Sequence, residues 1–286
     1  MELLSLPKQT NPLSLEWRVD SGVRDVSASS SDILVVLPTL GDRLELLERA
    51  LKSIDTQRRD VNLTLVMVVP ASKRSARALG KKFGAVMVSD PGRGMSAAIN
   101  AGLAQRTTEQ FYIWIGDDDQ FRPGGLATLK RLLEHNPRSP VAYGGCDYVY
   151  DSDAVLWVSK AGGLASWMLR FGPNLIPHLA AMMRLDDLEA IGGYDENLDY
   201  TMDLDVLLQL KKSGPFLSTT TVTSAFGWQP SSLTVDNRSA SAKEARAVKR
   251  RYLPAWLRWC EPLWAYPVAW ASAFAAHRIS AQTRQG

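Results

Sequence analysis

From residue 33 onward, short apolar runs alternate with stretches whose apolar residues recur at helical spacing. Ile33-Leu34-Val35-Val36-Leu37 is a run of branched aliphatics without a polar break, the make-up of a strand buried on both faces. Residues 43–54 follow with Leu44, Leu46, Leu47, Ala50, Leu51 and Ile54 on one helical stripe. The same reading predicts strands over 63–69 and 85–88, a basic helix over 72–82 and a helix over 96–104. A strand over 111–115 and a helix over 123–135 come next. Strand and helix in alternation predict an α/β fold with a largely parallel sheet and right-handed crossovers.

The second half is less regular. Residues 141–150 and 155–159 predict a strand pair around Asp151-Ser152-Asp153. Residues 162–172 have glycines at both ends and Trp167 and Phe171 between, which suits either a mobile lid or a plain surface loop. A strand is expected over 176–184, a helix from Met202, and a threonine-rich edge strand over 216–223. Ahead of the first strand, Leu13, Leu15, Trp17 and Val19 alternate with polar residues and allow one edge strand, and 27–31 is a serine-rich linker.

Composition narrows the class. The chain has 286 residues, 45% hydrophobic, enough for one large α/β domain with appendages. A net charge of +3 argues against a dedicated nucleic-acid binder. Cys146 and Cys260 stand apart without a CxxC context, as reduced thiols of a cytosolic protein would. The start lacks the basic and apolar pattern of a signal peptide, and no apolar run reaches the roughly 20 residues of a spanning helix.

Chemistry concentrates at three places. Phe111 to Ile115 runs straight into Asp117-Asp118-Asp119. Ligands of α/β sheets collect at the carboxyl ends of strands. Three adjoining acids there suit Mg²⁺ or Mn²⁺ shared with a phosphate-bearing substrate, or else form an acidic turn ahead of the next helix. Asp90-Pro91-Gly92-Arg93-Gly94-Met95 leads into a helix whose positive end, with Arg93, suits a diphosphate; it also reads as an ordinary connecting loop. Asp203 and Asp205 fall in a first helical turn, where acids complement the helix dipole. Being two apart, they face different sides, so one can cap while the other points into a cleft.

Together these segments resemble the family-2 glycosyltransferases of GT-A fold. The resemblance rests on Val35-Val36-Leu37-Pro38-Thr39-Leu40, on Arg93-Gly94-x-x-x-Ala98-x-Asn100-x-Gly102, and on Trp114-Ile115-Gly116-Asp117-Asp118-Asp119 in the place of the family's Asp-x-Asp signature. It runs from about Ile33 to about Gly227. It implies a single Rossmann-like domain with a C-terminal helical tail: an extension at 1–31, a catalytic domain at 32–235 with nucleotide (32–120) and acceptor (121–235) halves, and a tail at 236–286. It also implies an inverting transfer from a nucleotide-diphospho-sugar to a hydroxyl of a glycan or lipid-linked acceptor. In that scheme Pro38, Thr39, Asp42, Arg93, Asp117 and Asp118 bind the nucleotide, Asp119 and Asp117 hold the metal, and Asp203 is the base. His178, Asp205 and Trp228 lie on the acceptor side; a lone histidine in an apolar strand also reads as a core residue. Met202 departs from the glutamate many members carry.

The tail adds a location. A basic helix from Ala240 carries Lys243, Arg246, Lys249, Arg250 and Arg251, and Trp256, Trp259, Trp264 and Trp270 follow. Cations followed by tryptophans suit a peripheral membrane surface at the inner face of the cell membrane. A packing arm or dimer contact accounts for the same residues, so a homodimer stays open. Two rivals are a nucleotidylyltransferase, whose basic glycine-rich stretch after the first strand is not matched by Pro38-Thr39-Leu40-Gly41-Asp42, and a non-catalytic scaffold, against which the intact acids count.

Overall fold

The structure, a computed structural model, describes residues 31–150, 154–160, 162–228 and 238–259. In the first half β1 (Ile33–Pro38), α1 (Leu44–Gln57), β2 (Leu63–Val69), α2 (Arg74–Lys82), β3 (Val86–Ser89), α3 (Met95–Leu103) and β4 (Phe111–Trp114) alternate. The second half adds β5 (Gln120–Phe121), α4 (Gly125–Glu134), β6 (Val141–Tyr150), β7 (Ala154–Ser159), α5 (Gly162–Met168), β8 (Ala181–Arg184), α6 (Leu185–Ala190), α7 (Met202–Leu210), β9 (Leu217–Gly227) and α8 (Arg238–Tyr252).

Among the described residues all nine strands join one mostly parallel sheet in the order β3-β2-β1-β4-β8-β6-β9-β5, with β7 on β6. β3, β2, β1 and β4 are parallel throughout, and β6 runs parallel to β9. β8 is the antiparallel bridge between β4 and β6. The sheet is buried on both faces, which is why β1 has no polar alternation. Leu34 and Val36 pack with residues of α3, α7 and α8, among them Ile99, Leu204, Leu207 and Val248. Ile33, Val35 and Leu37 point the other way, toward Leu47, Leu51 and Ile54 of α1 and Leu126 and Leu129 of α4. Those five β1 side chains are all 0% exposed, and each such burial contributes about 1.5–3 kcal/mol. α3 lies hard against β1: a Cβ at Gly102 would sit 2.4 Å from Val36 Cγ1.

Four expectations change. Residues 176–184 are not one strand, because Pro177 lacks an N–H for a ladder; His178–Ala180 form a 3-10 turn and the strand begins at Ala181. Residues 162–168 of the glycine-rich segment are the helix α5. β9 is an edge only in its first part: at Ser224 and Ala225 it lies between β6 and the two-residue β5. α6 was not foreseen. The N-terminal extension with its edge strand, Cys260, Trp264, Trp270 and residues 229–237 lie outside the described residues. Among the described residues no helix is long and apolar enough to cross a membrane.

Candidate active site at the carboxyl ends of β1 and β4

β1 and β4 are parallel neighbours, so Thr39 and the acidic loop leave the sheet side by side. Thr39 Oγ1 donates to Asp117 Oδ2 at 2.5 Å and accepts the Gly41 N–H at 2.9 Å. Arg43, at the head of α1, reaches back over the loop. One guanidinium nitrogen bonds Asp117 Oδ1 and the other Asp118 Oδ2, the latter at 2.9 Å. Arg43 was missed as a site residue. A cation at a helix N-terminus is locally unfavourable, and the acids that hold this one lie more than 70 residues away, so the local sequence gives no sign of them.

Asp119 is 2% exposed. Its Oδ1 accepts the N–H of Gly227, at the end of β9, at 3.0 Å, and its Oδ2 accepts the Gly116 N–H at 3.3 Å. The backbone of β9 passes so close that a Cβ at Gly227 would lie 2.2 Å from the Asp118 carbonyl oxygen. His178 completes the pocket. Its ring stacks on Trp114 at 3.9 Å between centroids, and Phe226 meets it edge-on. Nε2 stands 3.5 Å from Asp119 Oδ2 and is buried without a hydrogen-bond partner. Burial and the charge of Asp119 push the Asp118 carboxyl up; Arg43 pulls it back, Asp117 adds repulsion, and the result is about 6.

Asp203 heads α7. Its Oδ1 accepts the Leu204 N–H at 2.8 Å and its Oδ2 accepts from Asn174 Nδ2 at 3.2 Å. Burial raises its carboxyl above the usual range, against the pull of nearby His178. His178 thus stands within electrostatic reach of both acid groups. Met202 is explained by packing: Ser96 Oγ on α3 donates to its Sδ at 3.1 Å. Asn100, a residue of the family-like segment, ties α3 to the turn before α7, bonding both the N–H and the carbonyl of Tyr194.

Other expected site residues sit differently. Pro38 ends β1 beside Thr39. Asp42 is exposed and paired with Lys73, and Arg93 is exposed and paired with Glu196 at 3.0 Å. Trp228 follows Gly227 and donates its N–H to the Val149 carbonyl at 2.8 Å. Asp205 is not brought to this group. It is buried, and its carboxylate is taken up by Gln209 at 2.8 Å and the Tyr252 hydroxyl of α8 at 2.7 Å. The bond to Tyr252 ties α7 to α8. Asp117, expected to share the metal, has both oxygens engaged by Thr39 and Arg43.

Among the described residues no group of three His, Cys, Asp or Glu side chains is arranged to hold a metal. A divalent ion in a phosphate-transfer type of site needs fewer, since it takes one or two protein ligands and substrate oxygens. The Asp119 carboxylate and the unpartnered His178 Nε2 fit that demand, and imidazole suits Mn²⁺ better than Mg²⁺.

An α/β sheet carrying an acidic loop at the end of β4, with a second acid at the head of a later helix, defines the GT-A class of architecture. Residues 34–185 match the model of glycosyl transferase family 2, more than half of the chain, and the chain belongs to that family. Solved structures share the fold. The mannosyltransferase PcManGT of Pyrobaculum calidifontis, in complex with GDP-Man and Mn²⁺, is 17% identical with a TM-score of 0.61, over 90% of this chain and 80% of that one. Residues 1–349 of Staphylococcus aureus TarS, in complex with UDP-GlcNAc, are 14% identical with a TM-score of 0.60, over 77% of this chain. The match spans 65% of that TarS fragment and 42% of a longer TarS chain. No curated protein matches significantly.

Proposed function

We propose that the chain is an inverting glycosyltransferase that moves a sugar from a nucleotide-diphospho-sugar to a hydroxyl of a glycan or lipid-linked acceptor. The observation that carries this reading is the pair of acid groups: Asp119 in the loop after β4, 3.5 Å from the unpartnered Nε2 of His178, and Asp203 at the head of α7 with its carboxyl raised by burial. One group handles the leaving diphosphate and the other the incoming hydroxyl. Asp119, with His178, would hold Mg²⁺ or Mn²⁺, which when bound neutralises the leaving group. Pro38, Thr39, Asp117 and Asp118 frame the nucleotide with Arg43, and Arg93 and Asp42 form its rim. Asp203 takes the acceptor proton, and its raised pKa brings it nearer working pH, as a general base requires. His178 and Trp228 face the acceptor. The complexes of two fold relatives with UDP-GlcNAc and with GDP-Man and Mn²⁺ favour this donor class and a metal.

The domain limits follow: catalysis in 32–235, divided near residue 120, and a tail from 236. We also propose that the tail adheres to an anionic membrane surface on the cytoplasmic side. Lys243, Arg250, Trp256 and Trp259 are exposed and available for it. Lys249 and Arg251 are engaged on the protein, with the Gly172 carbonyl and Asp195.

Calorimetry of UDP and GDP with and without Mn²⁺ tests the donor site. Wild type should bind one of them more tightly with Mn²⁺, and Asp119→Ala should lose that gain. An Asp119→Ala protein with the full Mn²⁺ effect would refute the assignment.

A further inference from the structure

α7 starts without a side-chain cap of its own. Thr201 occupies the N-cap and makes no capping hydrogen bond, although threonine there ordinarily does. Its hydroxyl donates instead to Glu244 Oε1 at 2.7 Å. The same oxygen accepts the N–H groups of Tyr200 at 2.9 Å and Thr201 at 2.8 Å, and Oε2 accepts that of Asp199 at 3.0 Å. Four donors thus converge on one carboxylate, 43 residues beyond Thr201 and on a different helix. Bonds to an ionised acceptor are roughly twice as strong as neutral ones. Burial disfavours the charge, but the bonds from Thr201, Tyr200 and Asp199 outweigh it and hold Glu244 below the usual carboxylate range.

The helix that supplies Glu244 is itself fixed. Val248 is fully buried in the core, and Leu253, just past α8, is nearly so. Tyr252 bonds Asp205 on α7, Arg251 pairs with Asp195 at 3.2 Å, and Lys249 bonds the Gly172 carbonyl. α8 therefore grips the 195–201 turn and α7 at several points, and its contacts flank Asp203 closely: Glu244 holds Thr201, two residues before it, and Tyr252 holds Asp205, two residues after. The carboxylate of Asp203 is oriented by the Leu204 N–H, in the turn that follows the residues Glu244 holds.

We propose that Glu244 is a positioning residue for sugar transfer: by holding from α8 the residues 199–201 that lead into α7, it sets where Asp203 meets the acceptor. This rests on the reading of Asp203 as the base. Reacting groups tolerate displacements of only about 0.5 Å, and about 1 Å can cost a hundredfold in rate.

The test uses the full chain and the variants Glu244→Ala, Glu244→Gln and Asp203→Asn. Amide exchange, binding of UDP and GDP with Mn²⁺, and hydrolysis of UDP-GlcNAc and GDP-mannose are measured. In Glu244→Ala the amides of residues 199–204 should exchange at least about tenfold faster while that of Gly227 keeps its protection. Its kcat should fall about tenfold or more with KM and nucleotide affinity within about twofold, and the acid limb of the kcat profile should move. Glu244→Gln keeps an acceptor at the Oε1 position and should recover most of the loss. Unchanged exchange at 199–204 overturns the proposal, as does unchanged kcat, or a joint loss of kcat and nucleotide binding that Gln does not rescue. If Glu244→Ala does not fold, Thr201→Val, which removes one of the four donors, should lower kcat a few-fold at constant KM; no change overturns the proposal. Near-normal turnover in Asp203→Asn would defeat the base assignment. An inactive Asp203→Asn beside an unaffected Glu244→Ala would defeat the positioning role alone.

Discussion

Asp118 should make the ligand-free protein less stable as pH rises from acid to neutral. Its carboxyl is pushed from 3.8 to about 6, by burial first and by Asp119 next, with Arg43 opposing. Between these values the folded protein holds a proton that the unfolded chain has released. The unfolded state then binds fewer protons, so stability falls with rising pH. The contribution is fully present below about pH 4, declines through about pH 6 and is gone by pH 7. A shift of about two units corresponds to about 3 kcal/mol, an upper figure because the side chain keeps 23% of its exposure. Groups with lowered pKa, such as Asp195 and Glu244, slope the opposite way, so the useful quantity is a difference between variants. Urea unfolding followed by tryptophan fluorescence, in EDTA at pH 4.5 to 7.5, would compare wild type with Asp118→Asn. Asn cannot titrate, so the stability of the variant relative to wild type should increase by up to about 2 kcal/mol across that range, the remainder lying below pH 4.5. Arg43→Gln removes the opposing cation and should move the midpoint to higher pH. Parallel profiles for wild type and Asp118→Asn would refute the reasoning.

Asp203→Asn should cut turnover by about 10² or more with donor affinity unchanged, read by steady-state kinetics. Gly102→Ala drives a methyl into Val36 on β1 and should cost about 1–3 kcal/mol, seen as a lower urea midpoint at constant slope. Wild type should float with anionic liposomes at low salt, and a chain ending at Ala240 should not; if neither floats, the tail is a packing arm only.

The parts of this molecule legible in the sequence are those set by local burial. A strand with core on both faces must be apolar throughout, so β1 and β2 were plain, as was the abrupt change from Ile115 to three carboxylates. Features decided by distant partners were not. Arg43 makes sense only against Asp117 and Asp118, more than 70 residues away. Asp205 and Asp203 look alike in sequence, and their surroundings differ only through distant partners, Tyr252 on α8 for one and Asn174 for the other. β9 reads as an edge because residues 219–221 are threonines, two of them exposed, yet Thr223 and Ser224 are buried where the strand runs on toward β5. Glu244 sits in a basic, polar helix and carries no local sign that it holds the residues leading into another one.

The hydrogen bond from Gly227 to Asp119 spans 108 residues, and that from Thr39 to Asp117 spans 78. Long spans are slow to close, and topology of this kind sets the pace of folding. At translation rates of about 5–20 residues per second, roughly 5–20 s separate the synthesis of Asp119 from that of Gly227. Through that interval the emerging chain holds β1 and β4 with the Asp119 carboxylate short of its β9 donor. The full hydrogen bonding of the Asp119 carboxylate is therefore a property of a chain extended through β9, not of the early strands alone.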